Sequence, residues 1–180
     1  MNRTKFSSGR GYTLVELSVV MVLVVLIATT LVSMLSQQTQ FIRWWKTQDF
    51  IAEDAPMTNA MVARLFSNAD AFRIHTDQAA AIANTGATTG AAMTLGFTQP
   101  DGSRVRGLLW FQSGELMYGN FNAAGTAIVG SWRVAKDVNT DTVAGVIQSS
   151  FAVDAVTGTM LLTLTGPYGG RATYGVTPSL

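Results

Sequence analysis

Glu16 is the side chain whose chemistry most demands an explanation. It is a carboxylate at the head of an apolar run, Leu17 to Leu35, that holds nineteen residues and no charge. An ionised side chain in a membrane helix costs about 2.5 to 3.5 kcal/mol at the centre on insertion scales, and less near an end. Such an acid needs a cation, or at least the positive end of a helix dipole. The other reactive groups offer less. His75 is the sole histidine and the chain has no cysteine, so neither a histidine metal cluster nor a thiol site can form. Ser67, Asp70 and His75 are close in sequence, but they stand where a helix is expected to end, with no nucleophile elbow or glycine-rich oxyanion turn. His75 is expected to be exposed there. Asp137, Asn139 and Asp141 place three oxygen donors in one loop. That is short of the about six to eight ligands calcium takes, and the glycine and closing glutamate of an EF-hand are missing. Gly169-Gly170 after Pro167 reads as a turn, because neither Lys-Ser, Lys-Thr nor a helix follows to cradle phosphate. No metal, cofactor or catalytic centre is expected.

The element that must position Glu16 is the apolar run itself. At about 1.5 Å per residue it spans a hydrocarbon core of about 30 Å as a helix. Arg3, Lys5 and Arg10 precede it, so the positive-inside tendency puts the N-terminus in the cytoplasm and the C-terminal domain outside. A cleaved secretory signal also begins with basic and then apolar residues. This run is longer than a usual signal core, and no small-x-small site follows it before Gln37-Gln38.

Gly11-Tyr12-Thr13-Leu14-Val15-Glu16, between the short basic leader and the apolar run, resembles the class III leader of type IV prepilins and of the pseudopilins of type II secretion. The resemblance covers about residues 1 to 36, with Tyr12 standing where Phe or Met is commoner. It implies that prepilin peptidase cuts between Gly11 and Tyr12, that the new amine of Tyr12 is methylated, and that Glu16 is the family's assembly glutamate. A carboxylate one turn from that amine can neutralise it, or the amine of a neighbouring subunit. Charges at about 4 Å interact by about 4 kcal/mol at an effective dielectric of about 20, before desolvation is subtracted. An intermolecular pair would set axial register. The family's major subunits carry a glycine and a proline where this chain has Val25 and Ser33, which points toward a minor subunit. Arg64-Leu65-Phe66-Ser67-Asn68-Ala69 has a fainter similarity to W-type minor pilins or J-type pseudopilins.

Residues 1–11 are thus expected as leader, 12–36 as membrane helix, 37–78 as outer helical segments and 79–180 as an antiparallel sheet domain. The outer part, about 135 residues, suffices for one domain with a real core. Without the three leader cations, nine Lys and Arg stand against eleven Asp and Glu, so no basic excess suggests nucleic acid. Trp44-Trp45 beside Arg43 and Lys46 fits either an interfacial anchor or rings packed under the outer domain or against a neighbour. Asp54-Ala55-Pro56 predicts a helix start capped by Asp54, with a break or kink. Met61, Val62, Leu65, Phe66, Ala69 and Phe72 recur as one apolar stripe suited to covering a sheet.

Residues 79–92, rich in Ala, Thr, Gly and Asn, read as a flexible loop. Strands are expected over 93–98, 104–112, 115–121, 127–135, 143–153, 159–165 and 172–176, with turns at Pro100-Asp101-Gly102, Ser113-Gly114 and Thr157-Gly158. Helices followed by consecutive strands give an α+β fold, and the pilin-like form is a long N-terminal transmembrane helix packed at its outer half on a mostly antiparallel β-sheet.

The implied function is non-enzymatic: a minor pilin or pseudopilin, processed by prepilin peptidase, held in the bacterial inner membrane and delivered by an inner-membrane assembly platform to other pilin or pseudopilin subunits. Two alternatives stand beside it. One is a DNA-uptake or adhesion subunit whose outer domain binds a ligand through Arg104, Arg106, Arg133 and Arg171. The other is an unprocessed membrane-anchored periplasmic domain.

Overall fold

Helix α1 runs from Leu14 to Asp49, 36 residues without a glycine or proline to interrupt it. The computed structural model describes residues 13–140 and 148–176. Chain contacts separate two units, Met1–Arg43 and Trp44–Leu180.

In the first unit every described residue is exposed, and the apolar side chains point to all sides of the helix. A helix that is apolar all round belongs inside a larger core or a membrane. This is the chain's one described helix long and apolar enough to cross a bilayer. Its hydroxyls suit that setting: Ser18 donates to the Val15 carbonyl, Thr29 and Thr30 to that of Leu26, and Thr39 to that of Leu35, at 2.8 to 2.9 Å. Each of these four hydroxyls is satisfied within the helix, as hydrocarbon requires.

In the second unit α1 passes into a π-helical turn, Phe50–Asp54, and then α2, Ala55–Ser67. Asp54 caps nothing. Its backbone is helical, its side chain makes no cap bond, and the Ala55 amide reaches back to the Phe50 carbonyl. The expected break is instead a π turn. Proline lacks an amide and crowds the carbonyl four residues back, so a widened turn lets Pro56 follow without ending the helix. α2 buries Ala55, Thr58, Val62 and Phe66, while Met61 of the expected stripe is exposed.

Phe72 is not helical at all. It lies in β1, Ala71–His75, a strand within the stretch expected to be helical. The supposed loop also holds structure: α3, Gln78–Ile82, whose start is capped by Asp77 accepting from the Ala80 amide at 2.7 Å, and β2, Thr89–Gly90. Then follow β3 (Ala92–Thr98), β4 (Arg104–Gln112), β5 (Glu115–Phe121), β6 (Ile128–Ala135), β7 (Ser150–Val153), β8 (Met160–Thr165) and β9 (Arg171–Val176). The strand expected over 143–153 is described only from 148, and β7 begins at Ser150.

These strands form two sheets where one was expected, ordered β1-β3-β4-β5-β6 and β2-β7-β8-β9, with every pairing antiparallel. The β4–β5 hairpin turns on Ser113 and Gly114, both at positive φ (51° and 80°), the geometry that matches strand twist. One core joins Phe50, Val62 and Phe66 from the helical side to Leu95, Leu109 and Leu116 of one sheet and Phe151, Met160 and Leu162 of the other. Phe111 stacks on Phe151 with ring centroids 5.0 Å apart. Fully burying one such side chain contributes about 1.5 to 3 kcal/mol. Gly166 is required in the β8–β9 turn because a Cβ there would sit 2.7 Å from the Phe50 ring. The outer face of the five-stranded sheet has its own cluster of Ala81, Ala92, Leu108, Trp110 and Phe121, which gives α3 its place.

Candidate functional site

Gly11 and Tyr12, the expected cleavage and methylation positions, lie outside the described residues. Glu16 stands in the first turn of α1. Its Oε2 accepts from the Thr13 amide at 2.8 Å and from the Thr13 hydroxyl at 3.1 Å, while the Glu16 amide donates to Thr13 Oγ1 at 3.3 Å. This reciprocal arrangement is a capping box: two amides that helix geometry leaves without partners are satisfied by two side chains. The signal was present in the sequence as Thr-x-x-Glu at the head of an apolar run, and Thr13 is the residue the motif reading passed over. Glu16 thus has a local role before any second chain is considered. Oε1 makes no hydrogen bond to a described residue, so the carboxylate retains an acceptor and its negative charge for an approaching cation.

The Ser67, Asp70 and His75 group is not brought together. His75 is wholly buried at the far end of β1, not exposed at a helix end. Its Nδ1 lies 2.7 Å from the Thr85 carbonyl and must donate to it, which leaves Nε2 to accept from the Thr94 hydroxyl at 2.9 Å. Strand β1 separates this ring from Asp70 by about 17 Å at about 3.3 Å per residue. The Asp70 carboxylate instead accepts from the Thr98 amide at 2.6 Å, and the hydrogen bonds from Thr98, helped by Arg104, hold its pKa below the usual Asp value. His75 therefore ties the segment after β1 to the sheet. The sequence could not separate this role from a surface one, because the partners are the Thr85 carbonyl and a threonine nineteen residues away.

The loop expected to offer oxygen donors is likewise taken up by the fold. Asp137, at positive φ, faces Lys136 at 3.8 Å, and the Asn139 amide bonds the Thr165 carbonyl. Asp141 lies outside the described residues. Among the described residues no three His, Cys, Asp or Glu side chains converge on a metal position. The arginines are dispersed too. Arg106 donates to the Gly125 carbonyl at 3.1 Å and lies over the Phe121 ring, Arg133 pairs with Glu115 at 2.8 Å, and Arg171 belongs to the other sheet. Trp44 and Trp45 are 59% and 60% exposed. Lys46 lies over the Tyr168 ring at 5.5 Å.

No family model, curated protein or solved structure matches this chain.

Proposed function

We propose that this chain is a minor pilin or pseudopilin, a structural subunit without catalytic activity that enters a type IV pilus or a type II secretion pseudopilus through its N-terminal helix. One observation carries the reading: a Gly-Tyr-Thr-Leu-Val-Glu processing motif runs directly into a helix that is apolar on every side and exposed along its first thirty residues. A solitary apolar rod requires lipid or other rods around it. A fibre core built from such helices is one environment, and the inner membrane is the other.

In this mechanism prepilin peptidase exposes the amine of Tyr12 beside Thr13. Glu16 first organises the helix start through Thr13 and then offers its remaining oxygen to an amine, its own or that of the subunit ahead. The assembly platform moves the helix from bilayer to bundle, and the ion pair selects one axial position among many similar apolar contacts. Val25 and Ser33, which leave α1 uninterrupted, favour a minor subunit over the abundant one. The outer domain remains on the periplasmic side or at the fibre surface.

Mass spectrometry of the membrane-inserted protein, with and without active prepilin peptidase, tests the first step: the mature chain should begin at methylated Tyr12. A chain that keeps Met1 in the presence of the peptidase is instead a membrane-anchored periplasmic domain. Glu16→Ala should insert normally and lose incorporation into a complex with other pilin-like subunits. Normal co-purification of that variant would overturn the register role.

A further inference from the structure

Between α2 and the last strand of the five-stranded sheet lies an open groove of about 440 Å³, lined by Met61, Arg64, Leu65, Trp132, Arg133 and Val134 among others. Three features point to what it holds. β6 pairs with β5 on one side only, and among the described residues no backbone hydrogen bond reaches its other edge. It has neither lysine nor proline, and its one charged side chain, Arg133, is paired with Glu115. Bulges at Gly130 and Val134 interrupt its register with β5; Trp132 and Val134 line the groove on the Tyr118 side of the sheet, whereas Arg133 stands opposite Met117 and is paired with Glu115.

The groove is also prepared chemically. Trp132 is half-exposed yet held by the Tyr118 ring at 4.6 Å, so a rigid aromatic wall faces the exposed Met61. No carboxylate lines it. Arg133 is committed to Glu115, whereas Arg64 has no ion pair among the described residues. An aromatic anchor with an arginine beside it is the composition of a binding hot spot.

We propose that this groove binds a short extended segment of another protein. A large apolar side chain of that segment sits among Met61, Leu65 and Trp132, an adjacent carboxylate meets Arg64, and the main chain bonds the open edge at Ser131–Arg133. The mode is strand addition, in which backbone bonds contribute affinity and side-chain pockets contribute choice. The unpaired edge suits an extended chain, and the exposed Arg64 guanidinium, with no carboxylate lining the groove beside it, suits an acid. The inference is independent of how α1 assembles.

A randomised nonapeptide display library panned on the full chain in detergent micelles, with empty micelles as counter-selection, tests it. Enriched peptides should carry a large apolar residue next to Asp or Glu. Their affinity should fall at least about tenfold, which is about 1.4 kcal/mol, for Arg64→Glu and for Trp132→Ala. Arg171→Glu, on the other sheet, should leave it unchanged. Thermal midpoints equal to that of the parent show that the variants are folded. Enrichment no greater than on the Trp132→Ala chain, peptides that bind both variants equally well, or a bound peptide that is helical by NMR would each overturn the proposal.

Discussion

The first thirty residues of α1 and the core of the outer unit use the same kinds of side chain for opposite ends. Leu23 and Leu26 are more than half exposed, while Leu109, Leu116 and Leu162 expose nothing. The outer leucines have already been removed from water by their own chain, so their contribution is realised on folding. Those of α1 have not, and their contribution is realised only when lipid or a second helix arrives. The difference shows that apolar side chains buried by the chain itself in one region stand exposed in the other.

The largest effect should come from the outer core. Phe151→Ala should lower the stability of the outer unit by about 3 to 5 kcal/mol in a denaturant titration, since it removes a ring stacked on Phe111 and leaves a cavity. Leu26→Ala should leave the same transition unmoved, and a shift with that variant would break the comparison. Next in size is Leu26→Arg, which should disfavour membrane insertion by about 2.5 to 3.5 kcal/mol, read as the inserted fraction, with the outer unit still folded.

Thr13→Ala should destabilise the start of α1 by about 0.5 to 2 kcal/mol, visible as faster amide exchange in its first turn. Combined with Glu16→Ala it separates the capping role of this acid from its proposed register role: the two variants should fray the helix alike, but only Glu16→Ala should lose the charge on which the proposed subunit capture rests. The smallest effect concerns Asp70. Its folded pKa lies below the unfolded one because of Thr98 and Arg104, so its contribution is present above the ordinary Asp range and fades as pH falls through the lowered value. Asp70→Asn should be slightly less stable than the parent at neutral pH and equal to it at strongly acid pH. The group is exposed, and solvent screening keeps the difference small.

Elements governed by neighbours in sequence were legible. β4 and β5 have the bounds that alternation and the Ser113-Gly114 turn implied, and α1 covers the whole uncharged run. β1 was not legible, because Phe72 continued the helical spacing of α2 and only pairing with β3 decides otherwise. α3 was hidden by its alanine-rich composition, although Asp77 supplied a capping signal. At the candidate site the acid was plain from its apolar surroundings. Its bond to Thr13 needed the helix to begin at Leu14, so that the two side chains face the same free amides.

By itself the sequence determined that one apolar rod of spanning length, headed by an acid, precedes a cysteine-free α+β domain, because length, charge and local periodicity are properties of neighbouring residues. Only the tertiary structure decided that the strands divide into two sheets, that His75 is a buried tie and not a surface group, and that β6 and α2 frame a groove. Each of these depends on contacts between residues far apart in the chain, where several pairings satisfy the same local pattern and packing selects one.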